Sequence, residues 1–244
     1  MSICFDNVAK RYGQKVVLHE IDLQVAKGEF FGLVGVNGAG KTTLIKSLLD
    51  FVQIDGGRIA IDGCDHRKPQ SRGALAFLPE RFIPPYYLTG SDFLRYALSL
   101  HGVPYRRQDA EAMLKALDLD ASVLARPVRL VSKGMTQKLG LAACLLAQRD
   151  LYILDEPMSG LDPRGRALLK AQLRALRGRG ATVFFSSHAL ADVEEMCDRM
   201  AILHGGRIRF RGTPAECRAT YGGTLEQAFL TCIGQGEAEV AGAA

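Results

Sequence analysis

The sequence predicts an α/β fold of parallel strands and crossover helices, opened by an antiparallel hairpin and interrupted by a helical segment. Three observations carry this prediction. A short apolar run at 30–34 ends in a glycine-rich loop at 35–40, and a helical pattern begins immediately after it. From residue 151 onward, apolar runs alternate with helix-period segments, the pattern of parallel strands joined by helices. Between residues 79 and 150 strand signals are scarce and helical ones dominate.

Each element has its own warrant. Residues 3–8 and 16–25 carry β-branched and apolar side chains, and Tyr12-Gly13-Gln14 supplies a turn, so they read as a hairpin. Residues 30–34 read as a buried strand and 42–49 as a helix. Gly56-Gly57 reads as a break, followed by short strands at 58–61 and 74–78. After the prolines Pro79, Pro84 and Pro85, helices are expected at 91–100, 109–117 and 134–148. The last of these has Leu141, Cys144 and Leu145 at helical spacing. Strands are then expected at 151–154, 182–186 and 200–203, with helices at 164–176 and 190–197 between them. The glycine- and alanine-rich end, 234–244, reads as frayed. No internal repeat is visible.

Composition bounds the class. The chain has 244 residues, 48% hydrophobic and 23% charged, which excludes disorder over most of it and suffices for a core without disulfides. No apolar run approaches the roughly 18 residues needed to span a bilayer. The longest, 139–147, contains Gly140. The first ten residues lack the basic-then-apolar layout of a signal peptide, so a soluble, cytoplasmic protein is expected. The net charge is +5, compatible with anionic ligands. The basic cluster Arg164, Arg166, Lys170, Arg174, Arg177 and Arg179 reads as a solvated helix face. Cys4, Cys64, Cys144, Cys197, Cys217 and Cys232 form no CxxC pair and read as reduced packing residues, not zinc ligands.

The most specific signal is Gly35-Val36-Asn37-Gly38-Ala39-Gly40-Lys41-Thr42, a complete GxxxxGK[ST] between a buried strand and a helix. Glycines let backbone N–H groups curl around phosphate oxygens, and the helix N-terminus adds a fixed positive potential. Asn37, Gly38, Ala39 and Gly40 would line the phosphates. Lys41 would place a charge between the β- and γ-phosphates, Thr42 would offer its hydroxyl to Mg²⁺, and Thr43 would reach the α-phosphate. A carboxylate is needed opposite, and Leu151-Tyr152-Ile153-Leu154-Asp155-Glu156 ends a buried strand with two acids. Asp155 is placed to hold Mg²⁺ and Glu156 to act as general base on an attacking water.

With these motifs in order, the chain resembles the nucleotide-binding subunit of an ABC transporter from about Ser2 to Leu230. That resemblance implies a P-loop NTPase (RecA-like) core with an N-terminal antiparallel β subdomain and an inserted α-helical subdomain. The core is expected at 1–82 and 150–212, the helical subdomain with the signature motif at 83–149, and a C-terminal helical segment with a flexible tail at 213–244. Val131-Ser132-Lys133-Gly134-Met135 resembles the signature motif, Ser159-Gly160-Leu161-Asp162 the D-loop, His188 the switch histidine, and Tyr12 the aromatic that stacks on adenine. In the family the signature completes the site of a second, head-to-tail subunit. The resemblance therefore implies a homodimer, or a pair with a similar ATPase subunit, with ATP and Mg²⁺ at the interface. It further implies a membrane-spanning permease as partner, membrane contact only through that permease on the inner face of the cell membrane, and no nucleic acid.

Two departures stand out. Val131, Lys133 and Met135 replace the usual leucine, glycine and glutamine of the signature. In Ala76-Phe77-Leu78-Pro79-Glu80 the carboxylate of Glu80 replaces the usual Q-loop glutamine, so it can ligate Mg²⁺ but cannot donate while ionised. These departures, with Thr89-Gly90, resemble ATPases that serve ABC-2 type exporters, and export is expected over import. The segment Phe82-Ile83-Pro84-Pro85-Tyr86-Tyr87-Leu88 lies where the family docks its membrane subunit. It reads either as that docking surface or as the subdomain's own core. The alternative function is a soluble ABC-type ATPase acting on ribosomes or DNA; a single cassette without a long coiled-coil insertion argues against it.

Overall fold

In the computed structural model, residues 1–241 are described. The chain forms two compact units, one of residues 1–73 with the chain from Thr182 onward, the other of residues 74–181.

In the first unit, β1 (Ile3–Tyr12) and β2 (Lys15–Val25) pair antiparallel, closed by Gly13 at φ +58°. Their alternation puts Ile3, Phe5, Val8, Leu18, Ile21, Leu23 and Val25 in the core at no more than 1% exposure. The strand β3 (Phe30–Val34) is buried at every position, as a central parallel strand should be. It is followed by the helix α1 (Lys41–Leu48), whose Leu44, Ile45 and Leu48 face inward. The strand β4 (Gly56–Ile61) pairs with β1, and the short β5 (Cys64–Asp65) pairs with β4. The Gly56-Gly57 pair expected to break the chain therefore lies inside a strand. Gly57 has φ +79°, and a Cβ there would stand 2.2 Å from the Asn7 carbonyl oxygen. The glycine lets β4 cross the bulge of β1 at Asn7, itself at φ +51°.

Further along this unit, β8 (Thr182–Ser187) and β9 (Arg199–His204) flank β3 in parallel. The helix α6 (Leu190–Met196) joins them. A strand not anticipated, β10 (Arg207–Gly212), returns antiparallel to β9 through Gly205 and Gly206, both at positive φ. Phe31 stacks on Phe184, and Phe184 meets Phe5, with ring centroids 6.0 and 6.3 Å apart. The helices α7 (Pro214–Tyr221) and α8 (Leu225–Ala241) end the described chain. Helix thus extends to Ala241 through the segment expected to be frayed; the rest of that segment, 242–244, lies outside the described residues.

The second unit holds two parallel strands, β6 (Leu75–Leu78) and β7 (Leu151–Leu154). Between them run α2 (Gly90–Leu100), α3 (Arg107–Ala116) and α4 (Lys133–Leu146); α5 (Pro163–Gly178) follows β7. Thr89 caps α2, its hydroxyl accepting from the Asp92 N–H at 3.2 Å. The start of α4 is polar, and from Leu139 to Leu146 it is buried on all sides. Gly140 makes room there for Phe82, whose ring a Cβ would approach to 2.7 Å. All six cysteines are free. Burial pushes the Cys144 thiol up to about 12 and the Cys217 thiol up to about 11, so both stay protonated packing groups. Among the described residues no helix is long and apolar enough to cross a membrane.

Candidate active site

The first unit supplies a glycine-rich loop that runs into a helix N-terminus. The loop 35–40 leaves β3 and turns into α1, and each glycine in it has a separate reason. Gly35 packs so closely that a Cβ would lie 2.4 Å from the Leu203 carbonyl oxygen. Gly40 is the N-cap of α1 at φ +111°, wedged against Leu18 and the Val17 carbonyl of β2. Gly38, at φ +82°, faces open space. The α1 terminus has no side-chain cap and no acid in its first turn, so its N–H groups and dipole are directed at whatever enters the loop. Lys41 is 7% exposed, and its Nζ donates to the carbonyls of Gly35 at 2.7 Å and Val36 at 3.3 Å. The loop thus holds the ammonium over itself. This chemistry fits a polyphosphate anion.

Two more predicted residues lie in the same unit. Val34 and Ser187 are paired across β3 and β8, so His188 leaves β8 at the same strand end where Gly35 leaves β3. His188 is exposed, and Ser187 shapes its turn by accepting from the Ala189 N–H at 3.0 Å. Tyr12 ends β1, half exposed, with the Lys10 ammonium 5.2 Å from its ring centroid. It pairs with Lys15, three positions or roughly 10 Å along β2 from the Leu18 that backs Gly40.

In the second unit the carboxylates gather at one end of the parallel pair β6 and β7. Leu78 pairs with Leu154, which puts Asp155, Glu156 and, two residues past β6, Glu80 at the same strand ends. Asp155 is 2% and Glu156 7% exposed, whereas Glu80 is exposed. Glu156 has φ +49°, a left-handed conformation that costs a non-glycine residue roughly 1–2 kcal/mol. Its carbonyl accepts from the Ser159 N–H at 3.0 Å, turning the chain toward the next motif. Asp155 and Glu80 here, and Thr42 in the first unit, each offer only oxygen donors, the donor type that suits Mg²⁺.

The signature and D-loop segments meet within this unit. Ser132 is the N-cap of α4, its Oγ accepting from the Met135 N–H at 3.3 Å. Lys133 is exposed, and Gly134 lies so near the D-loop that a Cβ would be 3.6 Å from the Gly160 carbonyl oxygen. Asp162 caps α5, with Oδ1 accepting from the Gly165 N–H at 2.6 Å. The supports from Leu18, Val17 and Ser187 were not anticipated; nothing local in the sequence marks them.

The profile of a protein family described as ABC transporter matches residues 18–159. An uncharacterised ABC transporter ATP-binding protein of Synechocystis is 41% identical over 82% of this chain and 57% of its own length. The present chain thus spans little more than half of that relative. The Nod factor export ATP-binding protein I of Rhizobium etli is 34% identical over 88% of this chain and 69% of its own length. A solved structure described as the ATP-binding subunit of an ABC transporter superposes with a TM-score of 0.84 at 30% identity, covering 95% of this chain and 99% of that one. The predicted α/β fold with its antiparallel β subdomain is the fold observed.

Proposed function

Because the chain belongs to the ABC transporter family, we propose that it is the ATP-hydrolysing subunit of a transporter, working through a separate membrane-spanning permease at the inner face of the cell membrane. The observation that carries this is the uncapped start of α1 behind a loop whose Gly38 opens to solvent and whose Lys41 ammonium is held in place. ATP phosphates bind residues 37–43, and the adenine stacks on Tyr12. Magnesium, when bound, offsets phosphate charge; Thr42, Asp155 and Glu80 are the residues that would hold it. Glu156 takes a proton from the attacking water, and His188 contacts the γ-phosphate. Residues Ser132, Lys133, Gly134 and Met135, with Asp162, serve the nucleotide of a second ATPase subunit packed head to tail. Core, helical subdomain and C-terminal segment take the boundaries 1–82 with 150–212, 83–149 and 213–244. Export is favoured because a relative named for export shares the chain at 34% identity. Nothing observed favours the ribosome- or DNA-acting alternative.

The experiment is Glu156→Gln. This variant should bind ATP normally and hydrolyse it about 100-fold more slowly or worse. It should also accumulate as an ATP-bound dimer on size exclusion. Parental turnover would remove Glu156 from the role of base. Lys41→Ala should instead weaken nucleotide binding itself.

A further inference from the structure

Asp118 follows α3 in the left-handed conformation, φ +53°. Glycine or asparagine would settle there at least as readily, so the backbone does not account for a carboxylate. Its surroundings do. The Lys138 ammonium, on α4 one turn past the signature segment, donates to the Asp118 carbonyl oxygen at 2.9 Å and lies 4.0 Å from Oδ2. The Arg164 guanidinium, in the first turn of α5 after the D-loop, stands 3.1 Å from Oδ1. The Lys138 stem crosses Gly165, where a Cβ would meet its Cε at 3.5 Å. One residue thus ties the start of α4 to the start of α5.

We infer that Asp118 is a positioning residue that fixes the signature helix against the D-loop, so that both present to the second subunit as one surface. The consequence for dimerisation rests on the head-to-tail reading above; the positioning itself does not. The two arms differ in weight. The Arg164 side chain is 74% exposed, so water and salt screen its pair. The Lys138 side chain is 14% exposed, so its attraction to the carboxylate is screened less, although its direct bond runs to the Asp118 carbonyl.

The test is Asp118→Asn in the full chain. Asparagine tolerates the left-handed backbone and keeps the carbonyl that Lys138 uses, so the fold persists. In the nucleotide-free protein, amide hydrogen exchange should rise at 132–138 and 160–166 and stay unchanged at 35–43. The thermal midpoint and ADP affinity should match the parent. In a Glu156→Gln background, ATP-dependent dimerisation should weaken about three- to tenfold, and adding Lys138→Met, which also removes the bond to the Asp118 carbonyl, should weaken it further. Unchanged exchange at 132–138 and 160–166, or a general rise with a fall in thermal midpoint, overturns the inference. If the Glu156→Gln parent forms no ATP-bound dimer, the head-to-tail reading fails, and the exchange pattern alone still decides the role of Asp118. Dimerisation that Asp118→Asn leaves at the parental level, in a parent that does dimerise, overturns the inference and spares that reading.

Discussion

Gly38 and Gly40 are two residues apart and both left-handed, yet they answer to different physics. A Cβ on Gly38 would meet nothing within 4 Å, while one on Gly40 would lie 2.9 Å from the Leu18 Cδ2 and 3.1 Å from the Val17 oxygen. Alanine at either site bears a backbone cost of about 1 kcal/mol or more. At Gly40 the crowding against β2 adds to it, for a total of about 2–3 kcal/mol. Gly38→Ala should therefore lose ATP affinity with a small change in urea-unfolding stability, because its methyl occupies the space proposed for phosphate. Gly40→Ala should lose stability first. The reverse ranking would contradict the geometry of the loop. Ser132 and Asp162 carry a related warning. Each caps its own helix, so alanine there removes a cap worth about 1 kcal/mol along with any contact to nucleotide.

At the scale of elements, α7 offers a test with a pH axis. Thr213 Oγ1 accepts from the Glu216 N–H at 3.1 Å, and Glu216 Oε2 accepts from the Thr213 N–H at 2.7 Å, a reciprocal capping box. The bond from the Thr213 backbone, reinforced by the Thr213 side chain, holds the Glu216 carboxyl below the ordinary glutamate range. A lowered folded-state value means the contribution is fully present above the unfolded value and is lost as pH falls through the folded one. Glu216→Ala should lower stability at pH 7 in chemical denaturation, and its deficit should shrink as the pH drops through the acid range. A deficit independent of pH would remove Glu216 from the cap. The elements also show what the sequence discloses. The strands β3 and β7 are unbroken apolar runs, and their boundaries are readable as written. In β10 Ile208 and Phe210 alternate with arginines and are only half buried, so the apolar signal is diluted and the two glycines before it are the better cue. In β4 the Gly56-Gly57 pair looks like punctuation, because the Asn7 carbonyl that demands it lies far away in sequence. The same limit applies to the site. Lys41, Asp155 and Glu156 sit in contiguous motifs and are legible. The wedge of Leu18 on Gly40 and the clamp at Asp118 arise only where distant segments meet.

At the scale of the whole protein, the open question is where a permease would engage, and the segment 82–88 divides between the two roles expected of it. Phe82 turns inward, its ring 5.3 Å from that of Phe93 and against Gly140, and Pro84 is buried. Ile83, Tyr86 and Tyr87 turn outward at 84%, 67% and 66% exposure, the two tyrosines edge to face. Leu130, 59% exposed, follows Arg129, whose N–H donates to the Tyr86 carbonyl at 3.2 Å. Clustered exposed apolar groups of this kind mark interfaces more often than chance surfaces. Tyr86→Ala combined with Tyr87→Ala removes contact area without opening the core, so unfolding stability should shift by no more than about 0.5 kcal/mol. Phe82→Ala, by contrast, should cost about 2 kcal/mol or more. In the isolated subunit the tyrosine double variant should bind and hydrolyse ATP as the parent does. Reconstituted in membranes with the permease proposed above, it should lose most of the ATPase activity that the permease stimulates. An equal loss of nucleotide binding in the isolated subunit would return the tyrosines to a structural role and leave the docking site to be sought elsewhere on the chain.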